Sequence, residues 1–299
     1  MEPSLTGLRV LRAVADHGSF TAAAAQLGYT QSAVSRQVAA LEREVGGQLF
    51  ERLPAGVQLT PRGLVMLRHA RAILDEIDAA QRELDGDESD VHDVRLGTFL
   101  SAGAVLVPRV VRAMRTERPD IRLTTREGTT PALVRALRAG TIDVAVIATQ
   151  PPYRPPDDEQ PALITAIVDE TSLLLAASAT GRFAGRSIVS IADLDGMDWI
   201  ASPSSSAESL MGAWPGLAGR PRVAHTARDW LTKLQLVAAD CGITTVPPHL
   251  ASVLPEGVQL MRVEGARPEH RRALVARLPG RVAEPVAAVV EAIRAWFPR

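Results

Sequence analysis

The stretch GSFTAAAAQLGYTQSAVSRQVAALEREVGGQLFERLPAGVQLTPRG, Gly18 to Gly63, leaves this chain the fewest options. It spells two helices joined by a tight turn and followed by a short wing. The Ser19 hydroxyl is placed to cap a first helix by accepting from its free N–H groups. That helix runs through Ala22–Ala25 to Leu27, and its small side chains permit close packing. Gly28 suits the left-handed backbone on which a helix ends. Thr30 then caps a second helix that starts at Gln31. Val34, Val38, Leu41 and Val45 recur at helical spacing, so one face is apolar and must be buried. Gln31, Ser32, Ser35, Arg36 and Arg43 lie off that face. A helix with hydrogen-bonding side chains near its N-terminus is what the major groove of DNA admits. On this reading Gln31, Ser32, Ser35 and Arg36 meet base edges, while Ser19 and Arg52 meet phosphate.

The segments GSFTAAAAQL, QSAVSRQV, Leu41-Glu42, GGQLFER and LTPRG occur in this order from Gly18 to Gly63. Together they resemble the N-terminal domain of the LysR-type transcriptional regulators. The resemblance implies an α/β multidomain chain. Residues 1–60 would form a winged helix-turn-helix, 61–86 a long linker helix and 87–93 a hinge. A periplasmic-binding-protein-like effector domain would follow, with one α/β subdomain from 94–163 and 268–299 and a second from 164–267. It also implies the partners: double-stranded DNA at an interrupted palindrome, a small-molecule effector, and further copies of the chain as a homodimer and a tetramer. RNA polymerase is a further expected partner. Two positions depart from the pattern. Ser32 stands where relatives carry proline, and the wing tip Leu53-Pro54-Ala55-Gly56 lacks their basic residues, so a minor-groove contact is not implied.

Charge is the objection to DNA binding. In residues 1–60, Arg9, Arg12, Arg36, Arg43 and Arg52 are balanced by Glu2, Asp16, Glu42, Glu44 and Glu51. A nucleic-acid binder usually carries a basic footprint. Either the fold gathers the arginines on one face, or non-specific affinity is low, which favours specificity in a protein reading two half-sites. The single cysteine, Cys241, leaves no internal disulfide and no cysteine metal cluster, and reads as a small buried hydrophobe. Lys233 is the only lysine, which we read as base-composition bias. With no apolar run of membrane-spanning length and no signal-peptide core, a cytoplasmic protein is expected.

Thr60-Pro61 opens a long helix, threonine as cap and proline in the first turn. Leu67, Ala70, Leu74, Ile77, Gln81 and Leu84 alternate spacings of three and four, a heptad seam that a monomer would leave exposed. Leu67, Ala70, Leu74, Ile77 and Leu84 are therefore the expected dimerisation residues. The acidic Asp85–Asp90 run marks a boundary. From Val91 strands alternate with helices, the pattern of a parallel sheet with helical crossovers. A helix is expected over Ala104–Arg118, with Ser101 preceding it, and another from Pro131, preceded by Thr129 and Thr130. Ile164–Asp169 is expected to cross into the second subdomain. Ser205–Glu208 and Thr226–Asp229 have capping-box spacing and so mark helix starts. Ligands of open α/β sheets bind at the carboxyl ends of strands, and free helix N-termini there favour anions. The resemblance places an inducer pocket around Ser101, Thr130 and Ser202, and Ala102, Thr129, Ser204 and Ser205 adjoin it.

No catalytic constellation appears: the histidines lack metal-ligand spacing, and neither a nucleophile elbow nor a phosphate loop is present. No metal or cofactor is expected. Two other functions stay open on the residues alone. One is a small-molecule-binding protein or enzyme carrying a residual helix-turn-helix. The other is an architectural DNA binder indifferent to metabolites.

Overall fold

The computed structural model describes residues 3–53, 56–84, 91–202, 212–214, 217, 219–265, 270–280 and 282–297. Three helices begin it: α1 (Leu5–His17), α2 (Phe20–Leu27) and α3 (Gln31–Val45). The caps read from the sequence are in place. Ser19 Oγ accepts from the Ala22 amide at 3.4 Å, and Thr30 Oγ1 accepts from Ala33 at 3.2 Å. Gly28 ends α2 at φ 68°, a conformation that costs a side chain and not a glycine. Leu8, Leu11 and Val14 of α1 pack on Val34, Val38 and Leu41 of α3 in one core with Leu49 and Phe50. The wing is an antiparallel hairpin of β1 (Phe50–Leu53) and β2 (Gly56–Leu59). Glu42 fastens it to α3, its Oε1 accepting from the Leu49 and Phe50 amides at 2.7 and 3.3 Å.

The long helix α4 (Pro61–Leu84) starts as expected, Thr60 Oγ1 accepting from Gly63 at 3.0 Å and donating to the Gln48 carbonyl at 2.8 Å. Its apolar face has a different partner from the expected one. Leu67, Ala70 and Leu74 are fully buried in the same core as α1, within a single chain. They cannot meet a second copy, and their assignment to dimerisation is corrected here. Of the five, Ile77 is half-buried and Leu84 is exposed. A second stripe faces outward on the same helix: Val65, Ala72, Ile73, Ala80 and Leu84.

The first lobe is a five-stranded sheet in the order β4-β3-β5-β13-β6, built from β3 (His92–Thr98), β4 (Ile121–Glu127), β5 (Val144–Thr149), β6 (Ile164–Ser172) and, from the far end of the chain, β13 (His270–Arg277). β3 pairs in parallel with β4 and β5, and β13 runs antiparallel to β5 and β6. Alternate residues of β5 enter opposite cores. Val144 and Val146 meet α5 (Leu100–Glu117) and the closing helix α8 (Glu284–Trp296), whereas Ala145 and Ile147 meet α6 (Thr130–Arg138). The expected boundary at residue 164 is corrected. β6 pairs with β13 from Ile164 to Ser172 and belongs to the first sheet, so the crossing follows Ser172.

The second lobe has a four-stranded sheet in the order β11-β7-β12-β8, from β7 (Leu174–Ser178), β8 (Ile188–Ser190), β11 (Thr244–Val246) and β12 (Val258–Glu264). A parallel pair, β9 (Asp198–Ala201) and β10 (Arg222–Thr226), joins it through Trp199 and Ile243. The helix α7 (Trp230–Ala238) is capped by Asp229, whose carboxylate accepts from Thr232 at 2.7 Å. Thr226, the expected cap, instead pairs with Ala201 at the end of β10. The capping spacing was satisfied one helical turn too early, because Asp229 was itself the stronger cap.

Candidate DNA-reading helix and effector lobes

The two apolar positions Val34 and Val38 clamp α3 against α1, and this fixes what the helix presents. Gln31, Ser32 and Arg36 are exposed, and Ser35 is half-buried. Ser32 Oγ lies 3.0 Å from Thr30 Oγ1, so the serine standing in proline's place extends the cap. Ser19 is half-buried at the start of α2, its hydroxyl engaged in capping. The side chain of Arg52 lies outside the described residues. So do Pro54 and Ala55 of the wing tip, and so do Ser204 and Ser205.

In the effector lobes α5 starts four residues earlier than the spacing implied. Phe99 is its N-cap and makes no side-chain cap bond. Ser101 and Ala102 therefore lie inside the first turn, where both are buried. Helix N-terminal amides there have no intrahelical partner. Thr129 caps α6 through Ala132 at 3.4 Å and is exposed. Thr130 is fastened to β5: its hydroxyl donates to the Ala148 carbonyl at 3.0 Å and accepts from the Ala148 amide at 3.2 Å. These two hydrogen bonds of the hydroxyl to backbone make Thr130 a brace between α6 and the sheet. Ser202 follows the last residue of β9, half-buried. The carboxyl ends of β3, β4 and β9 and the starts of α5 and α6 thus carry the described residues expected of a pocket.

Two groups here were not found by sequence reasoning. Lys233 Nζ donates to Ser202 Oγ at 2.8 Å and lies 4.7 Å from the centre of the Trp230 ring. Burial pushes its pKa down to about 8. The available signal was a lysine on the same helical face as Leu234 and Val237. His249 sits between Phe99 and Trp296, its ring 6.5 and 6.3 Å from theirs, with neither ring nitrogen bonded. Burial lowers its pKa to about 4. Val105 of α5 meets Ile200, Leu234, Val237 and Leu250 in one apolar cluster, and through it the two lobes touch. A separate cavity of about 330 Å³ lies under the 150–163 loop; its Arg272 is already neutralised by Glu170 at 3.0 Å. Cys241 is half-buried rather than buried, since it lies just past the end of α7. Among the described residues no cluster of His, Cys, Asp or Glu has metal-binding geometry.

The chain thus carries a winged helix-turn-helix on a long helix, joined to two α/β lobes that touch through Val105, the layout of a DNA-binding regulator. The chain belongs to the LysR family: residues 5–64 match the bacterial regulatory helix-turn-helix of the lysR family, and residues 87–298 match the LysR substrate binding domain. It is a LysR-type transcriptional regulator, of a family that binds DNA and small-molecule effectors and forms oligomers. A probable hydrogen peroxide-inducible genes activator of Mycobacterium avium is 29% identical, over 92% of this chain and 88% of the relative. The HTH-type transcriptional regulator TfdS of Cupriavidus pinatubonensis is 28% identical over 87% of each. Among solved structures, a full-length OxyR from Pseudomonas aeruginosa superposes with a TM-score of 0.67 at 20% identity, covering 98% of each chain. Full-length CbnR in complex with its target DNA gives 0.51 at 24%, covering 98% of this chain and 99% of that one. At these identities the likeness is one of fold.

Proposed function

We propose that Gln31, Ser32, Ser35 and Arg36 read base edges in the two half-sites of an interrupted palindrome, with Ser19 and Arg52 against phosphate. The observation that carries this reading is the exposure of Gln31, Ser32 and Arg36 on a helix whose opposite face is locked into the core. Two copies present the two reading helices, joined along α4 through Val65, Ile73 and Leu84. The effector is a small anion taken up between the lobes near Ser101, Thr129 and Ser202, and closure of the cleft alters the spacing of the reading heads. Several relatives and neighbours carry names tied to peroxide or OxyR, but this sequence has one cysteine, and a disulfide switch within a chain needs two thiols. Action at a promoter brings the protein to RNA polymerase in the cytoplasm, and no described helix is long and apolar enough to cross a membrane.

The test is a gel-shift series on the promoter DNA surrounding the protein's own gene. Arg36→Ala should weaken specific retention by at least about fivefold, the loss of roughly 1–3 kcal/mol that one good base contact supplies. Unchanged retention would defeat the assignment.

A further inference from the structure

A chain of 299 residues whose other cationic side chains are arginines keeps one lysine, and keeps it 2% exposed. Lys233 shares the inner face of α7 with Leu234 and Val237. Its ammonium has three donors, of which the described partners use one, for Ser202 Oγ at 2.8 Å. Trp230 adds its ring face. No carboxylate among the described residues pairs with it. Asp229, one turn earlier on the helix, attracts the ammonium at a distance but makes no ion pair with it, its carboxylate accepting from the Thr232 amide in the α7 cap. A cation taken out of water without a carboxylate in contact is unfavourable. A neighbouring helix position filled with leucine shows that this surface accepts apolar side chains.

The position of this cation is as telling as its isolation. Ser202 directly follows β9, at the carboxyl edge of the second lobe's parallel pair. Ile200 and Leu234, next to Ser202 and Lys233, pack on Val105 of the opposite lobe. The charge therefore lies beside the contact between the lobes.

We propose that Lys233, with the Ser202 hydroxyl, is the counter-ion for the carboxylate of the effector. The inference rests on the effector-cleft reading above and assigns its ligand a chemical class and an anchor. Among the described residues the ammonium has one hydrogen-bond partner, and the carboxylate supplies further acceptors and a contacting negative charge. Binding energy at Lys233 is thereby available to hold the second lobe against α5.

The experiment is a melting series on the full chain, wild type and Lys233→Met. Sodium benzoate, sodium succinate, sodium sulfate and potassium phosphate serve as probes at matched ionic strength, with benzamide and succinamide as neutral counterparts. Without ligand, Lys233→Met should melt roughly 2–4 °C above wild type, because it removes a buried charge that has no contacting carboxylate among the described residues. At least one carboxylate should raise the wild-type Tm in proportion to log concentration, with no effect from its amide and none on Lys233→Met. Three results overturn the proposal. Lys233→Met melting below wild type would mean that Lys233 is satisfied within the chain. A carboxylate stabilising both proteins equally would put the anion elsewhere. A panel in which no carboxylate moves the wild type, whether or not sulfate or phosphate does, would remove the carboxylate assignment. The gel shift on Arg36 uses no ligand, so failure of one test leaves the other reading standing.

Discussion

At Gly63 a Cβ atom would sit 2.0 Å from the Leu49 carbonyl oxygen, inside any contact distance. The first turn of α4 closes on the wing only because no side chain is there. Gly63→Ala should therefore cost about 3 kcal/mol, the upper end of the overpacking range, seen in denaturant unfolding as a lower midpoint at unchanged slope. His249 makes a different prediction. Its pKa in the folded chain is about 4, below the ordinary histidine value, because burial disfavours the imidazolium. The unfolded state then binds more protons between pH 6.5 and 4, so stability falls as pH drops through that window. His249→Phe should flatten this acid limb in a pH series of melts and leave the neutral plateau unchanged or higher. Arg36 and Gln31 were legible as surface residues from spacing alone. Thr130 was not legible as a brace, because its two bonds to Ala148 join residues 18 apart in sequence.

At the scale of elements, α4 separates period from partner. Leu67, Ala70 and Leu74 have the spacing of a coiled-coil seam, yet they fill the core beside α1. Spacings of three and four are what any helix shows when one face is buried, and the pattern carries no record of which surface does the burying. The outward stripe through Val65, Ile73 and Leu84 is shorter in apolar residues and was masked by the stronger one. The two stripes make opposite predictions. Leu74→Ala should lower stability by about 2–5 kcal/mol through a cavity, with assembly intact at temperatures where the chain is folded. Ile73→Asp, at a residue 42% exposed, should leave the melting of the folded chain nearly unchanged while sedimentation shows a loss of dimer. The reverse pattern would return the seam to Leu74.

In the whole molecule one buried arginine ties the DNA-binding end to the effector lobes. Arg71 of α4 is 4% exposed. Its Nη2 pairs with Asp16 of α1, and its Nη1 donates to the Ala139 carbonyl, at the end of α6, at 3.0 Å. Burial lowers its pKa, and Asp16 opposes that shift. Beside it Asp143 takes the Arg95 guanidinium at 2.6 and 3.0 Å and the Arg95 amide at 2.8 Å, which explains the acid in the Gly140–Asp143 sequence. A shift of α6 on ligand binding would thus be felt at Asp16, on the helix that supports α3. Arg71→Ala should cost about 1–3 kcal/mol and split one calorimetric transition into two, as the ends of the chain unfold separately. A single unsplit transition would show that the tie does not couple them.

What the sequence determined by itself is local and periodic: the caps at Ser19 and Thr30, the turn at Gly28, the buried and exposed faces of α3, and the alternation that makes the two lobes. Each follows from residues within a turn or two of one another, where backbone geometry fixes who meets whom. What only the tertiary structure decided is the identity of distant partners. It set Leu67 and Leu74 against α1, carried β6 into the first sheet beside β13, and brought Arg71 to Ala139 and Lys233 to Ser202. These pairings depend on how whole elements pack, and helical or strand period leaves that choice open.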